Sequence, residues 1–337
     1  MTTPCRISVV IPTFQRCASL QRALQALSRQ TLPPDEYEVI VSIDGSQDGT
    51  QEMVSRFPAA YKLHSIWQPN QGRAAACNAG IRVASGQLLV LLDDDMEPAP
   101  GFLEAHLRAH PEDSRLGAIG AAPITFTQLS PPVVQYIGVK FNSHLETLAQ
   151  PNYRFKLRDF YSGNFSIRRD VLTEVGTFDE SFKVYGNEDL DLSVRLAKAG
   201  VQLVYSPEAL AYQHYTKDFA TLARDNIAKG RTAVLLASKH PETYSDLKLS
   251  TYHQVSHKWL LLRAALLQLS RVWAGFPDRL ISLLEWLEQR RPPRFDFYCF
   301  LALDYFYWLG AVSALRENSN HGQGLASLVK SAGASHS

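Results

Sequence analysis

The chain reads as an α/β protein, a mostly parallel sheet with helices on both faces, followed by an α-helical C-terminal region. Three observations predict this. Short apolar or β-branched runs alternate with helix-spaced leucines and alanines through the first half. One run, Gln87-Leu88-Leu89-Val90-Leu91-Leu92, carries no charge, as a strand buried on both faces requires. Beyond His240-Pro241 the composition shifts to Leu, Trp and Tyr without further strand signals.

The elements follow in order. Ile7 to Ile11 is a β-branched strand, and Leu20, Leu24 and Leu27 mark a helix by their spacing. Tyr37 to Ile43 is a second strand, and Thr50 starts a helix carrying Met53, Val54 and Phe57. Lys62 to Trp67 is a short third strand, Arg73 to Ala84 an alanine-rich helix, and Gln87 to Leu92 the fourth strand. From Gly117 to Arg158 the pattern weakens, with Pro-rich loops around Pro123 and Pro131-Pro132. A strand over Gly163 to Ile167 precedes a helix ending near Gly176. A second helix, Glu188 to Ala199, stops at Gly200; Val201 to Tyr205 is a strand, and a long helix covers Phe219 to Ser238.

The expected organisation is a domain over 1–240 in two halves, about 1–125 and about 126–240. A helical subdomain over 241–317 and a Gly/Ser-rich loose tail from Asn318 to Ser337 complete the chain. Two C-terminal segments approach the length of a membrane span, but Arg263 and Arg271 interrupt one and Asp304 the other. They read as amphipathic helices, packed together or lying on a membrane surface.

Composition excludes some partners. With 34 Lys and Arg against 33 Asp and Glu, and no basic block, nothing points to nucleic acid. The four cysteines are scattered, so no disulfide framework is expected and a reducing cytosol fits, with peripheral contact at the inner face of the membrane as the variant. Pro4 and Arg6 interrupt any signal-peptide run at the start.

Polar residues recur where the strands end: Thr13, Asp44, Asn70 and Asp93. Open α/β sheets bind ligands at strand carboxyl ends, so four in series predict a site. At the fourth end stand Asp93, Asp94 and Asp95. On an extended backbone Asp93 and Asp95 share a face, and carboxylates held that close need a proton or a cation between them. Hard oxygen ligands suit Mg²⁺ or Mn²⁺ shared with substrate phosphates. The plain alternative is an acidic loop opening the next helix, with Pro98 and Pro100 at its start.

Other constellations are weaker singly. Asp44 in Asp44-Gly45-Ser46 can accept a uracil ring N–H, while Asp48 suits bonding its own turn. Gly72 before a helix lets backbone N–H groups approach an anion, Arg73 adds charge, and Asn78 lies two turns further in. Asp191 with Arg195 is an i,i+4 pair, which leaves Glu188 and Asp189 as candidate proton acceptors beside a Gly-Asn turn. His214, between a strand and a long helix, suits Mn²⁺ as one ligand among oxygens or plain packing among aromatics.

Together these residues resemble the family 2 glycosyltransferases, inverting enzymes of the GT-A fold. The matching elements are Val10-Ile11-Pro12-Thr13-Phe14-Gln15-Arg16, Asp44-Gly45-Ser46, Asn70-x-Gly72 with Asn78-x-Gly80, Leu92-Asp93-Asp94-Asp95, Gly163-Asn164-Phe165-Ser166, Gly176-Thr177-Phe178-Asp179-Glu180 and Glu188-Asp189-Leu190-Asp191. The resemblance implies a nucleotide-diphospho-sugar donor, most often UDP-linked, a glycan or lipid-linked acceptor, and Mn²⁺ or Mg²⁺. It implies that Pro12, Thr13 and Asp44 hold the nucleoside, that Asn70, Arg73, Asn78, Asp94 and Asn164 belong to the donor site, and that Asp93 touches ribose or sugar. Asp95, with Asp93 and His214, would bind the metal; Asp189 would be the general base, with Glu188 orienting a sugar. Many relatives have two aspartates before Gly-Ser, whereas Ile43 stands at the first position here. Processive members carry Gln-x-x-Arg-Trp; Gln268-Leu269-Ser270-Arg271-Val272-Trp273 misses it by one residue, which favours transfer of a single sugar.

Two rivals share the sheet. A sugar-phosphate nucleotidyltransferase needs a Gly-rich basic loop after the first strand, and Thr13-Phe14-Gln15-Arg16 is poor for that. A non-catalytic nucleotide-sugar or carbohydrate-binding protein would not need both the acidic triplet and Glu188-Asp189. A dinucleotide-dependent dehydrogenase is excluded because no G-x-G-x-x-G follows the first strand.

Overall fold

The structure is a computed structural model and describes residues 5–112 and 114–319. It divides into two compact units, the first formed by residues up to 125, 138–183 and 188–215, the second by 126–137, 184–187 and 216 onward.

The first unit is built on a seven-stranded sheet. β1 (Ile7–Thr13), β2 (Tyr37–Asp44), β3 (Lys62–Gln68) and β4 (Leu88–Leu92) alternate with α1 (Cys17–Leu27), α2 (Thr50–Ser55) and α3 (Arg73–Val83). After β4 come β5 (Met96–Pro98), α4 (Phe102–Arg108), β6 (Leu116–Gly120) and α5 (Pro132–Leu148), whose residues are shared between the units. Then follow β7 (Asn164–Arg168), α6 (Arg169–Val175), α7 (Glu188–Lys198), β8 (Gln202–Ser206) and β9 (Ala211–Gln213). The sheet order is β3-β2-β1-β4-β7-β6-β8, and β5 pairs with β9 in a separate two-stranded ribbon.

β1 lies parallel to β2 and β4, with Ile7 opposite both Tyr37 and Leu88, and β2 lies parallel to β3. The carboxyl ends of these four strands therefore lie along one edge. β7 runs antiparallel to β4, placing Asn164 opposite Leu92, and the same edge thus receives the start of β7. β6 is antiparallel to β7 and parallel to β8.

Alternation along the strands supplies two cores. Val9, Val41 and Val90 face Leu20, Leu24 and Phe102 of α1 and α4; Val10, Ile40 and Leu91 face Cys77, Leu172 and Leu192 of α3, α6 and α7. α3 approaches the sheet closely because it is built from Ala and Gly. A methyl group on Gly80 would stand 2.5 Å from Val10 Cγ1.

The second unit contains α8 (Phe219–Lys239), α9 (His257–Val272), α10 (Phe276–Arg290) and α11 (Phe295–Ser319). α8 and α11 touch through backbone: a methyl on Gly230 or Gly310 would overlap the Tyr307 or Ile227 carbonyl of the facing helix. This packing draws α8 into the helical unit, so its boundary falls at residue 216 and not at the composition shift near 240. Three further expectations change. Residues 117–158 hold a strand and a 17-residue helix where the pattern looked weak. Pro98 lies in β5, and the following helix starts only at Phe102. α11 continues to Ser319, and the rest of the expected tail lies outside the described residues.

Candidate active site

Three acids and two arginines organise the sheet edge. β1 ends on Thr13, whose hydroxyl donates to Asp94 Oδ2 at 2.7 Å. The chain turns through Gln15 (φ 56°), and Arg16 reaches back to Asp95 Oδ2 (3.0 Å) and Asp94 Oδ1 (3.3 Å). Asp94 and Asp95 are buried. Burial pushes Asp94 up to about 7; Asp95 contributes to the rise, while Arg16 and Thr13 oppose it. Asp95 is also raised, by burial and then by the charge of Asp93. Arg16 is held above its ordinary value: burial acts against its charge, but Asp94 and Asp95 outweigh it.

Arg73 opens α3 and is the centre of the other cluster. Its Nη2 donates to Asp93 Oδ1 at 2.8 Å, and its Nη1 donates to Ser162 Oγ (2.9 Å) and Asp189 Oδ1 (3.1 Å), with Glu188 Oε1 3.7 Å away. Burial works against the guanidinium charge, yet Asp93 and Asp189 hold Arg73 well above its ordinary value. Ser162 donates to Asp189 Oδ1 at 2.5 Å, while Asp189 Oδ2 meets the Ser162 N–H at 3.4 Å. The Asp189 side chain is 25% exposed and that of Glu188 4%, so of this pair Asp189 is the one open to a substrate hydroxyl. Gly163 admits the arrangement, since a methyl there would lie 2.4 Å from Asp93 Oδ2.

The remaining residues divide. Pro12 is buried in β1, and Asn70 is exposed at the end of β3 beside Gly45. Asp44 accepts from Gln68 Nε2 (2.7 Å) and from the N–H groups of Gln71 and Gly72 (both 2.9 Å), so its carboxylate shapes the Gln68–Gly72 loop. Asp48 bonds the Thr50 N–H and hydroxyl and the Cys17 N–H, which makes it a turn residue. Asp191 pairs with Arg195 at 2.9 Å as its spacing predicts.

Three expectations need correction. Asn78 does not face the donor side: its amide donates to Phe178 O and Glu180 Oε1 and accepts the Phe178 N–H, tying α3 to the following turn. Asn164 is wholly enclosed and donates to the Ala121 and Ala209 carbonyls. Asp93, Asp95 and His214 do not form a three-ligand cage. Arg73 holds Asp93, Arg16 holds Asp95, and His214 Nε2 lies 2.7 Å from Glu97 Oε2. Among the described residues no three His, Cys, Asp or Glu side chains gather closely enough to hold a metal.

Asp93 and Asp95 nevertheless fit a divalent cation shared with a ligand. Their oxygens are hard donors, and Asp95 already draws a cation, the Arg16 guanidinium. Sequence reading missed Arg16 as a partner of the acids, and Ser162 and Gln213. Gln213 approaches both Asp95 oxygens at 3.4 Å from β9. Arg16 sits in a motif that could have flagged it; Ser162 carries no local signal.

The family description "Glycosyl transferase family 2" matches residues 8–176, half of the chain. The chain belongs to this family. A second description, the N-terminal domain of galactosyltransferase, matches residues 143–218. Among relatives, validoxylamine A glucosyltransferase of Streptomyces hygroscopicus subsp. limoneus is 30% identical over 237 residues, covering 60% of this chain and 50% of the relative. Glycosyltransferase AglE of Haloferax volcanii is 28% identical over 227 residues, covering 67% and 72%. The chain thus spans about half the length of the Streptomyces relatives it matches. The mannosyltransferase of Pyrobaculum calidifontis, solved with GDP-Man and Mn²⁺, superposes with a TM-score of 0.59 over 93% of this chain and 89% of that one at 19% identity, a likeness of fold. This family 2 chain therefore has the GT-A architecture expected from its motifs.

Proposed function

We propose that the protein transfers one sugar from a nucleotide-diphospho-sugar, UDP-linked by preference, to a hydroxyl of a glycan or lipid-linked acceptor, with inversion. One observation carries the reading. The Arg73 guanidinium joins Asp93, on the donor side, to the Glu188-Asp189 pair, so donor acids and a candidate base meet at the strand ends. Relatives named as glycosyltransferases support the activity, and the mannosyltransferase bound to GDP-Man and Mn²⁺ supports a nucleotide-sugar and a divalent ion.

Asp95 and Asp93 are the residues that would hold Mn²⁺ or Mg²⁺, and the His214 N–H donates to the Asp95 carbonyl at 2.9 Å. When bound, such an ion neutralises charge developing on the leaving diphosphate. The protein's own residues do the rest. Asp189 accepts the proton of the acceptor hydroxyl on Oδ2 while that hydroxyl oxygen bonds the anomeric carbon. The bond from that carbon to the diphosphate oxygen breaks and its electrons leave with the nucleotide. Ser162 and Arg73 hold Oδ1, fixing the carboxylate plane. Glu188, enclosed beneath it, orients rather than reacts. A single displacement inverts the anomeric centre.

Asp189→Asn separates catalysis from binding. Transfer should fall by roughly a hundredfold or more, as loss of a general base does, while donor affinity stays near wild type. Wild-type turnover in this variant would refute the assignment. Calorimetry of UDP and GDP, each with and without Mn²⁺, on wild type and Asp95→Ala identifies the nucleotide and the ion's anchor. Binding that ignores Mn²⁺ would remove the metal from the proposal.

A further inference from the structure

We propose that the helical unit docks on an anionic lipid surface through the outer face of α9, α10 and the start of α11. α9 is inverted relative to a helix that faces water. Its central charge, Arg263, is fully buried, with Nη1 2.9 Å from Asp304 Oδ2 and the guanidinium over the rings of Tyr252 and Trp308. Leu261, Leu262, Leu269 and Val272 are exposed instead, Leu261 at 72% and Val272 at 79%. Positions 261, 265, 269 and 272 share one helical face, and they read Leu, Ala, Leu, Val. Trp286 on α10 and Phe297 on α11 are half exposed as well.

Charge selects the occupant. Between residues 257 and 300 the exposed charged side chains are six Lys or Arg and two Asp. Arg290 lies 4.1 Å from the centre of the Trp286 ring. Exposed Trp and Phe among arginines is the pattern of a helix seated at the headgroup level of an anionic bilayer. A second copy would bring the same excess of positive charge against itself. The contact is with a surface and not a crossing. α11 is the helix among the described residues that is long and apolar enough to span, yet 56% of its apolar window is buried, with Gly310 against α8.

The test uses the full chain with vesicles of phosphatidylcholine alone or with one third phosphatidylglycerol. The wild type should sediment with the anionic vesicles, and its tryptophan emission should shift to the blue. Trp273→Phe with Trp286→Phe should reduce that shift, since in this unit Trp273 and Trp286 are half exposed while Trp259 and Trp308 are buried. Leu261→Glu with Val272→Glu should weaken binding by roughly tenfold or more without changing the thermal melt, because both side chains already face solvent. Arg271→Glu with Arg279→Glu should abolish the preference for anionic vesicles. Wild type remaining in the supernatant with both vesicle types overturns the proposal. So does a dimer that Leu261→Glu with Val272→Glu dissociates in the absence of vesicle binding.

Discussion

Replacing His106 with Gln should lower stability at neutral pH while removing much of the acid sensitivity of the sheet unit. The neighbours of His106 determine where its proton sits. Asn164 donates both amide hydrogens to the Ala121 and Ala209 carbonyls, so its Oδ1 is an acceptor and takes the His106 Nε2–H at 2.9 Å. Nδ1 then accepts the Ser166 hydroxyl at 2.8 Å, and the Ser166 oxygen accepts the His110 Nε2–H at 2.8 Å. The chain of bonds has one direction and no acceptor for a second proton on His106. Burial pushes His106 down from 6.5 to about 3, against the opposing bond to Asn164, and burial likewise pushes His110 down to about 4. The unfolded chain binds these protons near 6.5 and the folded chain does not, so stability falls as pH drops from 6.5 toward 3. At pH 5 the loss is about 1.5 pH units times 1.36 kcal/mol, or about 2 kcal/mol for His106, and less for the partly exposed His110. Urea midpoints of the full chain at pH 7.5 and 5.0 measure it. Wild type should lose about 2–4 kcal/mol between them. His106→Gln should begin about 1–3 kcal/mol lower and lose about 2 kcal/mol less. Equal losses in the two proteins would refute the reasoning.

Two more outcomes are expected. Gly163→Ala would set its methyl 2.4 Å from Asp93 Oδ2 and drive that carboxylate off Arg73, so Mn²⁺-dependent nucleotide affinity should drop by roughly tenfold, or about 1.4 kcal/mol, with the fold retained; calorimetry showing unchanged affinity would remove Asp93 from the donor site. Asp304→Asn strands the buried Arg263 and should cost about 3–5 kcal/mol in urea unfolding. Burial alone would raise Asp304, but Lys248, Arg263 and Trp259 hold it below its ordinary value, so this contribution is present above about 3.8 and is lost as pH falls through the lowered value; a pH-independent difference between Asp304→Asn and wild type across that window would refute it.

β1, β2 and β4 and their polar ends were legible because a two-sided parallel sheet demands largely apolar runs, and a run that stops on Thr13, Asp44 or Asp93 marks its own edge. α5 was hidden by Pro131-Pro132 at its start, although a proline opening a helix is favourable. Asn78 and Asn164 show the limit of reading motifs for chemistry. A recurrent polar residue can serve the ligand or the protein itself: the Asn78 amide is spent on the Phe178 carbonyl and the Glu180 carboxylate, that of Asn164 on two carbonyls. Ser162 was unreadable because its meaning lies in contacts with Arg73 and Asp189, 89 and 27 residues away. The composition shift near 240 misplaced the unit boundary because α8 is of mixed composition, and only its glycine contact with α11 reveals which core it joins.

The antiparallel step between β4 and β7 acts as a ruler. Asp93 is the residue after β4, its N–H bonded to the Gly163 carbonyl at 2.9 Å, and Ser162 directly precedes that glycine. The separation between Asp93, on the proposed donor side, and Ser162, which holds the proposed base, is therefore a main-chain repeat, indifferent to the side chains around it. Such a gauge cannot be widened by enlarging a loop. Under the proposed transfer, a bulkier sugar must be accommodated outward, toward solvent, where loops can lengthen without disturbing that spacing. Under the proposed transfer, chemistry and selectivity are thereby written on separate parts of the chain, and one can drift while the other stays fixed.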